Sequence, residues 1–359
     1  MPAKLELGNG LSDSASNSID GLKNGRSVVV ERILVTGGAG YVGSACCARL
    51  LQRGYSPEII DNFSTGHAHA VPKAVTVHNC DFGDGVGLAK LLTSKTFDVV
   101  FHFAAKALIP ESVTSPGSFF ATNVASGIVM LETLRKYGIR KFVFSSSAAV
   151  YGSPKVVPIP EDHEKEPTNA YGESKLIFEQ VLKWYASAYQ WSIVAFRYFN
   201  ACGGGADWGE RHDPETHIIP LLLQVASGRR EFFEIYGTDY PTPDRTCLRD
   251  YVNVMDIAEA HILALQKLGS PGFHAYNIGT GTSYSVKEIW DVASSVTGRR
   301  IELRAALRRL GDPAVLCASP KKLMTEFGWK PMHSDLEKII AGAWAWEQAL
   351  CERVFARAA

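Results

Sequence analysis

Three groups of residues have the types and spacing to do chemistry. The first is Tyr171-Gly-Glu-Ser-Lys175. On a helix, Tyr171 and Lys175 stand four residues apart and share one face. A phenol titrates near ~10 in water. An ammonium group beside it, and a cationic ring if one is bound nearby, favour the phenolate and make Tyr171 a usable base near neutrality. A lone Tyr-x-x-x-Lys is commonplace as a surface pair, so the second group matters. Ser145-Ser146-Ser147 places three hydroxyls at the end of an apolar run; core packing explains them poorly, and they suit donation to a substrate oxygen. The third group is Thr36-Gly-Gly-Ala-Gly-Tyr-Val-Gly43. Glycines 37, 40 and 43 permit a tight turn, close approach of backbone to a pyrophosphate, and close helix–strand contact. A helix N-terminus then offers N–H groups and positive dipole to phosphates.

Context turns this weak glycine pattern into a dinucleotide reading. Asp61 ends the next apolar run, 18 residues past Gly43. An acid there accepts from an adenosine ribose and repels a 2′-phosphate, so NAD is preferred over NADP. Asp81-Phe82, after the third run, can flank the adenine. Phe103-Ala104-Ala105-Lys106, after the fourth, can line the dinucleotide, because ligands of such sheets bind beyond the strand carboxyl ends.

These groups need an alternating scaffold, and the sequence has one. Short β-branched runs predict strands at 33–36, 57–61, 75–78, 99–103, 142–145 and 193–196. Amphipathic stretches predict helices at 41–53, 86–94, 118–137 and 170–189. The alternation implies a Rossmann-type, doubly wound parallel sheet of the α/β class over residues 28–200, binding NAD. After Asn200 the texture changes to a polar, glycine-rich loop at 201–216, then helices at 218–227, 254–268, 285–297 and 334–352 and a strand at 275–278. Residues 201–359 therefore read as a smaller, mixed α/β substrate domain, some of whose segments can return to the first. Residues 1–27, rich in Gly, Ser, Asn and Asp, read as a disordered leader.

Bulk composition narrows the partners. Of 359 residues, Lys+Arg and Asp+Glu each total 37, so there is no global basic field and nucleic acid is not expected as a partner. No apolar run approaches the ~20 residues needed to span a bilayer, and no membrane partner is expected. Seven cysteines without a Cys-x-x-Cys suit a reducing cytoplasm better than a disulfide framework or a zinc site; no metal is expected.

The glycine loop, the serine strand end and the Tyr/Lys helix together resemble the extended short-chain dehydrogenase/reductase family. Within it, Ser145-Ser-Ser-Ala-Ala-Val-Tyr-Gly152, Arg197-Tyr-Phe-Asn200, Gly237-Thr-Asp-Tyr-Pro-Thr-Pro243, Arg249-Asp-Tyr-Val252 and Arg308-Arg-Leu-Gly-Asp312 are similar to UDP-glucose 4-epimerases. The likeness covers roughly residues 32–350. It implies a catalytic trio of Ser147, Tyr171 and Lys175. It implies that Tyr41, Val42, Asp61, Asn62, Asp81, Phe82, Phe103, Lys106 and Phe199 touch NAD, and that Asn200, Ile218, Tyr236, Arg249, Arg309 and Asp312 hold UDP. Arginine forks suit a diphosphate, which agrees with Arg249 and Arg309. Relatives pair the helices at 118–137 and 171–189 in a homodimer, and Val129, Leu131, Leu134, Leu176, Val181, Leu182 and Tyr185 lie beyond a single inward stripe.

The chain departs from the pattern at four places. Ala149 stands where a Thr is common. His217 occupies a position that is Asn in some members. Others carry Lys one residue beyond Lys106. Leu316 sits where size gates an N-acetyl group at C2 of the sugar, and leucine is intermediate. The expected reaction is NAD-dependent epimerisation at C4 of a UDP-hexose through a 4-keto intermediate, with UDP-glucose and UDP-galactose as default substrates. UDP-xylose/arabinose and UDP-N-acetylhexosamines remain alternatives. Dehydratases and decarboxylases of the family generally need an acid where this chain has Ala148-Ala149, which disfavours them; a non-catalytic nucleotide-sugar binder is disfavoured by the intact Ser/Tyr/Lys set.

Overall fold

The central strands of the first half are buried on both faces, and their alternate residues serve two different cores. In β1 (Ile33–Thr36), Ile33 and Val35 face one core and Leu34 the other. The computed structural model describes residues 31–205, 208–309 and 311–358; the leader expected at 1–27 lies outside them. After β1 come α1 (Tyr41–Gln52), β2 (Glu58–Asp61), β3 (Thr76–Asn79), α2 (Gly85–Ser94), β4 (Val99–His102), α3 (Ile109–Thr114), α4 (Pro116–Phe119), α5 (Gly127–Lys136), β5 (Lys141–Ser147), α6 (Ala170–Tyr189) and β6 (Ser192–Tyr198). The remainder comprises β7 (Asn200–Cys202), β8 (Gly204–Gly205), β9 (Trp208–Gly209), α7 (Ile218–Ala226), β10 (Phe233–Tyr236), β11 (Leu248–Asn253), α8 (Val254–Ala264), β12 (Gly272–Ile278), β13 (Ser283–Ser285), α9 (Val286–Thr297), β14 (Leu303–Ala306), β15 (Val315–Leu316), α10 (Lys321–Phe327) and α11 (Leu336–Ala358).

Seven strands form one parallel sheet in the order β12-β6-β5-β4-β1-β2-β3. The order reverses between β1 and β4, which opens a crevice beyond their carboxyl ends. One face is covered by α1, α8 and α10, through Cys46, Cys47, Leu50, Ile257, Ala258, Leu323 and Phe327. The other is covered by α2, α5 and α6, through Leu88, Leu92, Met130, Leu134, Phe178 and Leu182. The strand expected at 275–278 thus begins at Gly272 and is the seventh strand of this sheet, with α8 and α10 packed upon it. The chain returns to the first sheet after leaving it at Asn200. A separate core gathers α7, β10, α9 and α11.

The single helix expected at 118–137 is broken. It starts at Pro116 as α4, passes through a π-helical stretch at Phe120–Ser126 and resumes as α5. π-bulges of this kind cluster at functional sites, and here the wide turn carries Asn123 inward. Of the apolar residues expected to lie beyond the inward stripe, Leu131, Leu134, Leu182 and Tyr185 are buried against the protein's own sheet and Leu176 against a neighbouring cluster. Val181 is half-buried there, and Val129 is exposed. All seven cysteines are free, and no helix among the described residues is long and apolar enough to cross a membrane.

Candidate active site

The glycine loop turns as its spacing predicts. Gly37 has φ +74°, and a Cβ there would lie 2.5 Å from the Ala104 backbone nitrogen, so glycine lets the loop close on the end of β4. A Cβ on Gly43 would lie 2.2 Å from the Gly37 carbonyl oxygen, so α1 can rise directly from the loop. No side chain caps α1 at Gly40, which leaves its first N–H groups, those of Tyr41 and Val42 among them, for an anionic ligand. The buried Asp61 carboxylate closes β2, accepting from Ala39 N at 2.9 Å and Phe63 N at 2.8 Å. Each oxygen keeps a lone pair for a ribose hydroxyl. Asn62 donates to Asp81 Oδ2 at 2.7 Å, joining the ends of β2 and β3. These groups fit a dinucleotide with a free 2′-hydroxyl.

Some expected contacts are differently committed. The Phe82 ring turns inward against His102, 5.1 Å between centres, so it offers a ligand mainly its backbone. The Phe103 ring lies 4.8 Å from His261. Lys106 Nζ is paired with Glu111 at 2.6 Å. The Tyr41 hydroxyl donates to the Gly203 carbonyl at 2.6 Å, tying the glycine loop to the segment after β7. Burial pushes the Tyr41 phenol well up, and the Glu210 and Glu215 carboxylates and Cys202 push it further.

The serine strand end and the Tyr/Lys helix meet because the first turn of α6 approaches the backbone after β5. Asn169 caps α6 by accepting from Gly172 N at 2.9 Å. A Cβ on Gly172 would lie 2.5 Å from the Ala149 carbonyl oxygen. Ser147 Oγ accepts from Ala149 N at 3.1 Å. Burial raises the Tyr171 pKa, and the neighbouring Ser147 hydroxyl works against that rise. Lys175, buried, donates to the Ser145 carbonyl at 2.7 Å and holds its ammonium 5.8 Å from the Tyr171 ring centre. Burial brings its pKa down to about 7, opposed by the Glu179 carboxylate.

Behind this trio lies a buried network that sequence reasoning missed. Glu179, one turn beyond Lys175, accepts from Ser146 Oγ at 2.6 Å and takes Arg197 in a two-pronged pair at 2.9 and 2.7 Å. Arg197 also donates to the Tyr151 hydroxyl at 2.8 Å, which donates to Asn277 Oδ1 at 2.7 Å. The network joins β5, α6, β6 and β12. Asn123, from the π-helical turn, accepts from Lys106 N at 2.8 Å and donates to Ser174 Oγ at 2.9 Å. It fixes the loop after β4 to the catalytic helix.

The expected UDP residues gather at the opposite rim. Arg249 of β11 stands opposite Leu316 of β15, and its guanidinium is salt-bridged to Asp312; the two are already partners of each other. Arg309 is exposed and lies 4.0 Å over the Tyr236 ring. Asn200 pairs in register with Tyr251 on β11. Leu316 packs on the cluster of Ala148, Leu176 and Phe199, which brings the rim against the catalytic strand and helix. Ile218 opens α7, and His217 before it lies 2.8 Å from Glu210 and 3.0 Å from Glu215. The repeated Glu-x-His at 210–212 and 215–217 was the signal for this cluster.

Known proteins share this arrangement. The NAD dependent epimerase/dehydratase family model matches residues 33–279. A UDP-glucose 4-epimerase of Corynebacterium glutamicum is 45% identical over 322 residues, 90% of this chain and 97% of the relative. The crystal structure of a UDP-glucose 4-epimerase from Brucella ovis in complex with NAD is 41% identical, with a TM-score of 0.84 over 88% of this chain and 97% of that one. That from Bifidobacterium longum with NAD+ and UDP is 33% identical, with a TM-score of 0.84 over 88% and 98%. Matched along nearly the whole length of these relatives, the chain belongs to the NAD dependent epimerase/dehydratase family and, within it, to the UDP-glucose 4-epimerases.

Proposed function

We propose that the chain interconverts UDP-glucose and UDP-galactose by inverting C4 through a transient 4-keto sugar. The observation that carries the reading is the first turn of α6 set against the serine end of β5, with Lys175 bonded to the Ser145 carbonyl and 5.8 Å from the Tyr171 ring centre, beside Ala148 and Ala149, which hold no acid for elimination. The glycine loop and Asp61 would hold NAD beyond the carboxyl ends of β1 and β4, where it would supply a reversible hydride acceptor for C4 of the sugar. Tyr171 Oη takes the proton of the 4-hydroxyl and gives it back when the keto oxygen is reduced. Ser147 Oγ orients that oxygen and stabilises the phenolate. Lys175 supplies the cationic charge that opposes the effect of burial on Tyr171.

Residues 201–359, with their arginines at the rim, hold the UDP moiety, and residues 28–200 with the later returning segments hold the dinucleotide. Arg309 meets the diphosphate, while Arg249 and Asp312 act together, the guanidinium toward phosphate and the carboxylate toward a ribose hydroxyl. Binding energy from UDP, remote from C4, keeps the keto sugar in place while it turns. Leu316, against Phe199 and Ala148, limits the space beside the sugar. The free cysteines suit a cytoplasmic location. The exposed Ile128 and Val129 of α5 and Trp184 of α6 suit a homodimer pairing these helices, which light scattering tests by its mass.

The test is turnover by the purified protein with no NAD added. UDP-galactose and UDP-glucose, supplied separately, should reach the same product ratio by chromatography. No conversion of either, with NAD present as well, would overturn the reading.

A further inference from the structure

Outside the catalytic trio, the strap from Trp208 to Ile218 collects two imidazoles and two carboxylates at one point. A ligating atom from each of Glu210, His212, Glu215 and His217 lies within 4.8 Å of all the others. His217 Nδ1 is 2.8 Å from Glu210 Oε1 and 3.0 Å from Glu215 Oε1; His212 Nδ1 is 3.2 Å from Glu210 Oε1 and 3.9 Å from Glu215 Oε2. Four ligands about 2.0–2.1 Å from a tetrahedral zinc ion stand roughly 3.3–3.4 Å apart. The observed separations straddle that value.

Two further observations point to a ligand rather than to a self-contained ion pair. His212 Nδ1 is shut off from solvent and has no hydrogen-bond partner among the described residues. It lies 3.2 Å from Glu210 without the alignment of a hydrogen bond, so a buried ring nitrogen faces two carboxylates with its hydrogen-bonding capacity unmet, which is costly unless a cation bridges them. The carboxylates are also held from behind. Glu215 Oε1 accepts from Thr216 N at 2.8 Å and His217 N at 2.9 Å, and the Glu210 main chain is fixed by Trp346 Nε1 at 2.9 Å. Outer-shell support of this kind orients metal ligands.

We propose that Glu210, His212, Glu215 and His217 bind one divalent ion of the zinc class. Two carboxylates balance its charge and two neutral imidazoles complete it; calcium and magnesium, which favour all-oxygen sites, fit it poorly. The ion is structural. It closes the strap whose Arg211 carbonyl meets His67 Nε2 at 3.2 Å and whose Glu210 lies near the Tyr41 phenol. It thereby locks the segment before α7 onto the dinucleotide loop.

The experiment uses the full chain, stripped with a chelator and then titrated with Co2+ and, in competition with a chromophoric chelator, with Zn2+. The expected result is one equivalent per chain, the visible absorption of tetrahedral Co2+, and a melting temperature raised by Zn2+. H212A and E210Q should each weaken binding by at least about 100-fold, and H67A, beside the strap but outside the set, should not. Circular dichroism confirms that the variants fold; if H212A does not, E210Q and E215Q decide. Sub-stoichiometric binding by the wild type, wild-type affinity in E210Q, or equal loss in H67A would overturn the assignment.

Discussion

The two ends of the cleft are built on different terms. At the carboxyl ends of β5 and β6, charged and polar side chains are buried and committed to one another: Ser146 to Glu179, Glu179 to Arg197, Arg197 to Tyr151. At the rim that carries Tyr236, Arg249, Arg309 and Leu316, Arg309 and Arg308 are exposed, and the buried Arg249 is paired with a half-buried Asp312. The first region resists any change of geometry, because removing one partner strands another in a dry interior. The second can repack around a ligand at little cost to the fold. A rigid support for the catalytic helix and strand is thus joined to an adaptable grip. A sugar that must turn over between two half-reactions needs both.

The largest effect should separate chemistry from stability. Tyr171→Phe removes the proton carrier and should lower turnover by about 10³-fold or more, within the range expected of general acid–base groups, with an unchanged melting curve. A large fall in stability would show that the hydroxyl is structural. Next, Glu179→Ala should cost about 3–5 kcal/mol in denaturant unfolding, the penalty of leaving the buried Arg197 unpaired, whereas Arg308→Ala at the rim should cost less than about 0.5 kcal/mol. Equal costs would erase the distinction between the two ends.

Acid should act on the buried histidines of the sheet side. Burial, aided by Lys175, holds His102 down to about 3, and burial holds His261 down to about 4. Unfolded histidine titrates near ~6.5. Between about pH 6.5 and 4 the unfolded chain therefore binds more protons than the folded one. Stability should fall as pH falls through that window, by up to about 1.4 kcal/mol per pH unit for each histidine. Denaturant midpoints that do not change from pH 7 to pH 5 would contradict it. The smallest effect belongs to Arg309→Ala, which should raise KM for UDP-sugar by about 10-fold, the loss of one charge-assisted contact, with kcat nearly unchanged.

Legibility in the sequence follows the same division. The glycine loop, Asp61, the serine run and the Tyr/Lys helix could be read because each is local: a turn, a strand end, or one helical face. α6 was placed at 170–189 as it stands, since Asn169 caps it and its apolar spacing is helical. Glu179 was missed although it falls one turn after Lys175 on the same inward face, because its partner, Arg197, comes from the next strand. The break at Phe120–Ser126 was hidden because apolar spacing does not distinguish a π turn from an α turn, and Asn123 alone hinted at it. That later segments can return to the first sheet was legible, but not that β12 is the one that does, because a seventh strand resembles any other apolar run until its neighbour is known. At the rim, only the family likeness brought Arg249, Arg309, Asp312 and Leu316 together; their proximity depends on β11 and β15 pairing across more than sixty residues.

The most direct test of the central claim, that Tyr171 moves only a proton while C4 keeps its own hydrogen, is the fate of that hydrogen. UDP-galactose deuterated at C4 is turned over in ordinary water, and the UDP-glucose formed is analysed by mass spectrometry and NMR. The account predicts that the deuterium stays at C4 with inverted configuration, and that turnover of the labelled substrate is slower. Deuterium lost to water, with inversion intact, would mean that C4 is deprotonated rather than oxidised and would contradict the account.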